Sequence, residues 1–193
     1  SEGLRQLPVP YVFVAGNHDS EATVKAVAAN PRAIILHDKP VEVAGLTLLG
    51  APDPSSARPG PGSVDTPIPV LKAAADKLLA DLDAAQAGGA KVDVVCVHDP
   101  KQAQAVAGKA ALVLCGHEHR AYIETRGTTV FCNAGTTGAA GARYFDNRQG
   151  VPLSAAILAF SRQPGHRLLY IDQVSLDGSF GQYSITRRTF TPA

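Results

Sequence analysis

The stretch VDVVCVHDPKQAQAVAGKAALVLCGHEH spans residues 92–119 and decides the predicted fold. Its two apolar runs, 92–97 and 111–115, have the length and composition of strands, and residues 101–107 between them are predicted to form a short helix. Two strands joined through a helix lie parallel in one sheet. The stretch therefore predicts an α/β fold.

The flanking sequence extends this α/β pattern. Helices are predicted at 20–29, which Ser20 caps, and at 70–87, where apolar residues recur on one stripe. Further strands are predicted at 11–15, 33–36, 41–43, 46–49, 121–125, 128–132, 154–160, 167–174 and 182–190. Residues 51–69 are rich in Pro and Gly and predict a long loop near the functional site. We expect one domain over residues 1–193, built on mixed sheets.

Composition excludes several classes of protein. The 193 residues are 45% apolar, and 18 basic against 17 acidic side chains leave a net charge of +1. This balance argues against a disordered tail and against a broad nucleic-acid-binding face. No run approaches the ~18 apolar residues of a membrane span, although a full-length protein could be tethered, so the compartment stays open. The three cysteines lie in apolar surroundings and are interpreted as buried side chains.

Three polar motifs follow predicted strands directly. Gly-Asn-His-Asp occupies residues 16–19, His98 ends the strand at 92–97, and Gly-His-Glu-His occupies residues 116–119. Ligands of open α/β sheets bind outside the carboxyl ends of parallel strands. We therefore expect these side chains to lie together at one edge of the sheet. Asp53 and Asp99 also lie near such edges, but nothing in the sequence assigns them a role.

Imidazole and amide groups together indicate a metal site. Neutral imidazole nitrogens suit Zn, Fe, Mn and Ni, and Asn17 adds an oxygen. His117 and His119 are two residues apart, so along an extended segment both would point to one side. His18 stands beside Asp19, which can orient its ring for general acid catalysis. The two remaining histidines, at positions 37 and 166, are interpreted as solvated loop residues.

In their order and strand-end placement, these motifs resemble the calcineurin-like metallophosphoesterase superfamily. The resemblance spans most of residues 8–137 and includes the loop that begins at Asn133. It implies a four-layer αββα fold, in which a β-sandwich is flanked by helices. It also implies two divalent transition-metal ions (Mn, Fe, Zn, Co or Ni) that are bridged by a carboxylate and a hydroxide.

The same resemblance implies a role for each motif residue. Asn17, His98 and His117 would ligate one ion, and His119 would ligate the other. His18 would protonate the leaving oxygen, with Asp19 behind it. Arg143 lies in a loop that we expect to border the site, where it could pair with a substrate phosphate or simply be solvated.

Two earlier motifs of the superfamily, Asp-x-His and Gly-Asp-x-x-Asp, do not occur in this sequence. They supply the bridging aspartate and most ligands of the first ion. We expect an upstream segment of the same protein to contain them and to complete the fold with its first strands. The competing interpretation is a naturally truncated protein that binds one ion or none.

The leading functional hypothesis is a metallophosphoesterase that hydrolyses a phosphate mono- or diester, with a phosphorylated small molecule or a phosphodiester as substrate. The alternative is a catalytically silent module of the same fold that binds a partner protein. The presence of His18, the predicted acid, favours the enzyme. A nucleic-acid binder is disfavoured because no basic stripe with interleaved aromatic residues occurs.

Overall fold

The computed structural model describes residues 6–57, 66–138, 152–177 and 181–190. The helices are α1 (Glu21–Ala28) and α2 (Ile68–Ala87), and one 3-10 turn covers Gln104–Val106. The strands are β1 (Tyr11–Phe13), β2 (Ala33–Ile35), β3 (Val41–Val43), β4 (Leu46–Ala51), β5 (Val94–Val97), β6 (Leu112–Cys115), β7 (Ala121–Arg126), β8 (Thr129–Ala134), β9 (Leu153–Phe160), β10 (Leu168–Asp177) and β11 (Gln182–Thr189).

A six-stranded mixed sheet forms the centre of the fold. Its order is β3-β4-β5-β6-β8-β7, in which the four inner strands are parallel and the two edge strands antiparallel. One row of the register runs through Leu49, Val95, Val113 and Phe131, which are all fully buried. Strands covered on both faces need such continuous apolar runs. The prediction that β5 and β6 are parallel neighbours is confirmed.

Helix α2 covers one face of this sheet. Leu71, Ala75, Leu78 and Leu82 are buried, and the last two join the core beneath the helix. Pro69 lies in the first turn, where its missing N–H costs nothing, and the helix ends before Gly88. The helix predicted at 70–87 is therefore confirmed, with a start two residues earlier.

The other face of the central sheet carries a second layer in two parts. One part is the parallel pair β1-β2, and the other is the antiparallel sheet β11-β10-β9. Both parts pack on the same apolar cluster, since Val12 of β1 and Leu158 of β9 contact the core around Leu112. Helix α1, capped by Ser20, packs near β2. The mixed α/β sandwich flanked by helices is confirmed.

The prediction of a short helix at 101–107 is wrong, because this segment forms a 3-10 turn and no α-helix. Successive hydrogen bonds join residues three apart, such as Ala103 N to Pro100 O and Val106 N to Ala103 O, and only one 3-10 turn forms. The segment is too short to nucleate a stable α-helix between Pro100 and Gly108. Within the described ranges, no helix has the length and apolar character needed to span a bilayer.

Candidate metal centre

The three polar motifs meet beyond the carboxyl ends of β1, β5 and β6. A hydrogen bond of 3.0 Å from Gly116 N to His98 O joins the second and third motifs. A bond of 2.8 Å from Asp53 N to Ala15 O ties the end of β4 to the segment that carries Asn17. The strand ends therefore place the motifs at one edge, as expected.

Three donor atoms from these motifs converge. His98 Nε2 lies 2.9 Å from Asn17 Oδ1 and 3.2 Å from His117 Nδ1. The two imidazole rings meet edge to face, with centroids 5.1 Å apart and planes at 76°. Asn17 is buried, and both histidines are partly buried. The structure thus brings together three of the four side chains predicted to ligate metal.

Because Gly16 has no side chain, the ring of His98 can lie directly against the backbone of the Gly-Asn-His-Asp motif. A Cβ at this position would lie 2.6 Å from His98 Nδ1 and 2.7 Å from Cε1, well inside contact distance. A residue without a side chain is therefore required at the first position of the Gly-Asn-His-Asp motif, because the imidazole of His98 packs directly against its backbone.

The loop after β6 turns His117 toward His98 through an unusual backbone conformation. His117 has φ of +67°, in the left-handed region that non-glycine residues seldom adopt. Two hydrogen bonds to Gly116 O, from Glu118 N at 2.8 Å and from Asn133 Nδ2 at 2.7 Å, hold this turn. Strain of this kind persists where surrounding contacts over-determine it, and it is common at functional sites.

The reasoning that placed His117 and His119 on one side of an extended segment is wrong. Both residues are left-handed, with φ of +67° and +53°, so the alternation of a strand does not apply. His119 is exposed, and within the described residues its ring makes no hydrogen bond to Asn17, His98 or His117. Its assignment to a second ion stays a prediction.

The remaining predicted residues lie at the rim or beyond the described ranges. His18 is exposed next to Asn17. Asp19 Oδ2 accepts a hydrogen bond of 2.8 Å from Gly16 N, so this carboxylate braces the loop that carries His18. Arg143 lies outside the described residues, as do residues 58–65 of the predicted Pro/Gly loop.

The surroundings of His98 favour the neutral form of its imidazole. Burial lowers the pKa of His98 below its ordinary value, and the neighbouring His117 lowers it further. The carboxylates Asp53, Asp19 and Asp99 act in the opposite direction. A neutral imidazole keeps the lone pair that a metal ligand needs.

The donor set fits part of the coordination sphere of a divalent transition metal. Bonds of about 2.1 Å at right angles would separate neighbouring ligand atoms by about 3 Å, close to the separations of 2.9 and 3.2 Å seen here. Within the described ranges, no three His, Cys, Asp or Glu side chains are arranged to hold an ion. The cluster of two imidazoles and an amide is therefore an incomplete set.

Two buried carboxylates beside the cluster received no role from the sequence. Asp99 is 3% exposed, and its Oδ2 lies 3.8 Å from His117 Nε2. Asp53 is 1% exposed and accepts hydrogen bonds from Ser55 N and Thr66 Oγ1 through Oδ1, while its Oδ2 has no hydrogen-bond partner in the part of the chain that the structure describes. In the sequence, the position of each aspartate shortly after a predicted strand was the one feature that could have pointed to a place in the site.

The cysteines do not contribute thiolates. All three are buried, as predicted. Burial raises the pKa of the Cys96 thiol to about 12 and that of Cys132 to about 11. They therefore act as small apolar side chains of the core.

Solved structures of Vps29 are similar to this chain in fold. A double mutant of Vps29 from Entamoeba histolytica is 13% identical, with 98% of this chain and 87% of that chain covered at a TM-score of 0.42. Wild-type Vps29 from the same organism, complexed with Zn²⁺, is 12% identical over the same shares, with a TM-score of 0.40. Vacuolar protein sorting 29 from Cryptosporidium parvum is 14% identical over 99% of this chain and 87% of that chain, with a TM-score of 0.39.

Sequence comparison identifies the family. No curated protein matches the chain. The family model of the calcineurin-like phosphoesterase superfamily domain matches residues 2–162, which include all three polar motifs. The chain therefore belongs to the calcineurin-like phosphoesterase superfamily.

Proposed function

We propose that this protein is a metal-dependent phosphoesterase that hydrolyses a phosphate mono- or diester. The observation that carries the proposal is the position of His98 Nε2, which lies 2.9 Å from Asn17 Oδ1 and 3.2 Å from His117 Nδ1. Family membership supports the same chemistry.

Each side chain of this site would have a separate role in the reaction. Asn17, His98 and His117 would hold one divalent ion, whose chemistry when bound is to polarise a phosphoryl oxygen and to lower the pKa of water. His18, exposed beside Asn17, would donate a proton to the leaving oxygen. Asp19 would keep the loop of His18 in place through its bond to Gly16 N.

The proposal includes a second ion, with His119 as one ligand, and an upstream segment that supplies the other ligands. The two-part second layer supports that segment. Among the described residues, β1-β2 and β11-β10-β9 are separate sheets, although both pack on one face of the central sheet. Strands inserted between them would pair backbone edges that have no strand partner among the described residues.

Metal content and hydrolysis, measured on the same preparations of the protein with its upstream segment, test this proposal. The substrates are phenyl phosphate and diphenyl phosphate, whose poor leaving groups need an acid, and their p-nitrophenyl counterparts, which need it less. We expect Asn17→Ala and His117→Ala to lower metal content and turnover together. We expect His18→Ala to retain metal and to lose turnover chiefly on the phenyl esters, while the exposed loop variant His37→Ala serves as control.

Each contrary outcome has a distinct meaning. A wild-type protein that binds metal but hydrolyses none of these esters would favour the silent interaction module over the enzyme. Full activity of His18→Ala on phenyl phosphate would refute the assignment of the general acid. Metal content that is unchanged in Asn17→Ala and His117→Ala would refute the metal centre.

A further inference from the structure

Asp99 and His98 lie near different nitrogens of the His117 ring. Nδ1 of His117 lies 3.2 Å from His98 Nε2, on the side of the converging donors. Nε2 of His117 lies 3.8 Å from Asp99 Oδ2. One ring nitrogen therefore faces the candidate metal position and the other faces a carboxylate.

Burial and a hydrogen bond from the backbone fix the position of the Asp99 carboxylate. The residue is 3% exposed, and its Oδ1 accepts a hydrogen bond of 2.8 Å from Lys101 N. This bond anchors the side chain through Oδ1, and Oδ2 is the oxygen that lies 3.8 Å from the imidazole of His117. A contraction of less than 1 Å would bring Oδ2 within hydrogen-bond distance of His117 Nε2.

Histidines that bind metal commonly donate their second ring N–H to a carboxylate, which fixes the tautomer and the orientation of the ring. We propose that Asp99 is the positioning residue of His117: Oδ2 accepts the Nε2–H, so that the lone pair of Nδ1 faces His98 and Asn17. This inference rests on the proposed function, in which Nδ1 of His117 binds the ion.

Asp93 offers a matched control at the opposite end of the same strand. It precedes β5 as Asp99 follows it, it is 7% exposed, and its Oδ2 accepts a hydrogen bond of 2.9 Å from Thr47 N. Asp93→Asn and Asp99→Asn each remove one buried carboxylate that accepts a backbone N–H. Asp93 also accepts a hydrogen bond of 3.1 Å from Lys91 Nζ, so its substitution additionally removes an ion pair. Only Asp99 faces a histidine of the cluster.

The experiment measures Zn²⁺ affinity by calorimetry and the tautomer of His117 by long-range ¹H–¹⁵N NMR in the metal-free protein. The NMR is recorded at about pH 8, where an ordinary imidazole is neutral. We expect Asp99→Asn to weaken Zn²⁺ binding by about 10- to 100-fold and to shift His117 away from the Nε2–H tautomer. Asp93→Asn should change neither, and circular dichroism shows whether each variant is folded.

The two readouts separate the inference from the proposed function. Unchanged Zn²⁺ affinity and an unchanged His117 tautomer in folded Asp99→Asn would overturn the inference. A wild-type protein that includes the upstream segment and binds no Zn²⁺ would overturn the proposed function, and the tautomer in the metal-free protein would still decide the role of Asp99. Should Asp99→Asn fail to fold, Asp99→Glu, which keeps the charge but displaces it, should weaken Zn²⁺ binding in a folded protein if the inference holds.

Discussion

Substitution of Gly16 by alanine should damage the candidate metal centre without unfolding the protein. The added Cβ would stand 2.6 Å from His98 Nδ1, about 0.8 Å short of the 3.4 Å at which ordinary contact begins. Gly16 is not among the residues with positive φ, so alanine can adopt its backbone conformation. The clash must therefore be relieved by movement of the His98 ring.

A shift of that size matters because metal ligands must lie within about 0.2 Å of their proper positions. His98 Nε2 is the central donor, in contact with both Asn17 Oδ1 and His117 Nδ1. We expect Gly16→Ala to weaken Zn²⁺ binding at least tenfold, which corresponds to about 1.4 kcal/mol. Overpacking should also lower the free energy of unfolding by roughly 1–3 kcal/mol.

Calorimetric titration with Zn²⁺ and chemical denaturation measure the two effects. Gly138→Ala is the control, because a Cβ there meets no described residue within 4 Å and the backbone φ is not positive. Gly116→Ala lies in the same site, but its Cβ would come no closer than 3.8 Å to His98, so its effect should be much smaller. Zn²⁺ affinity equal to that of the wild type in Gly16→Ala would refute the steric reasoning.

Three further predictions concern the fold. Leu82→Ala, at a fully buried position of α2, should lower the free energy of unfolding by about 2–5 kcal/mol, as measured by urea denaturation. Gly50→Ala should also destabilise, by about 1–3 kcal/mol in the same assay, since its Cβ would meet Leu36 Cβ at 2.5 Å. Hydrogen bonds from Arg187, at 2.6 and 2.7 Å, lower the pKa of Asp172, so this pair stabilises above the ordinary carboxyl pKa and loses its effect as pH falls through the lowered value. The difference in melting temperature between wild type and Asp172→Asn should therefore be largest near neutral pH and vanish in strong acid.

Local patterns predicted the elements of the fold well. The apolar stripe of α2 and the continuous runs of β5 and β6 depend on residues close in sequence, and the structure confirms them. The prediction that the three motifs share an edge also succeeded, because parallel strands bring their carboxyl ends together. Residue types alone could thus predict that Asn17, His98 and His117 would meet.

Features that depend on tertiary contacts were not predictable from residue types. The left-handed conformation of His117 is held by Asn133, which lies 16 residues further along the chain on a neighbouring strand. The burial of Asp53 and Asp99 depends on which loops cover them, and an aspartate after a strand is usually a solvated turn residue. Nothing in the sequence distinguished these carboxylates from exposed ones.

The charges around the cluster act on the two kinds of positive charge it could hold, a proton on His98 and the proposed metal ion. A proton on His98 creates a positive charge in a partly buried place beside a second imidazole, and the pKa of His98 falls for both reasons. Asp53, Asp19 and Asp99 nevertheless create a field that attracts positive charge to the same ring. An ion held between the imidazoles and the amide would experience that attraction and would use the lone pairs of both histidines. Because the three nearest donors are neutral when they bind through lone pairs, these carboxylates would supply the negative charge that the proposed dication requires.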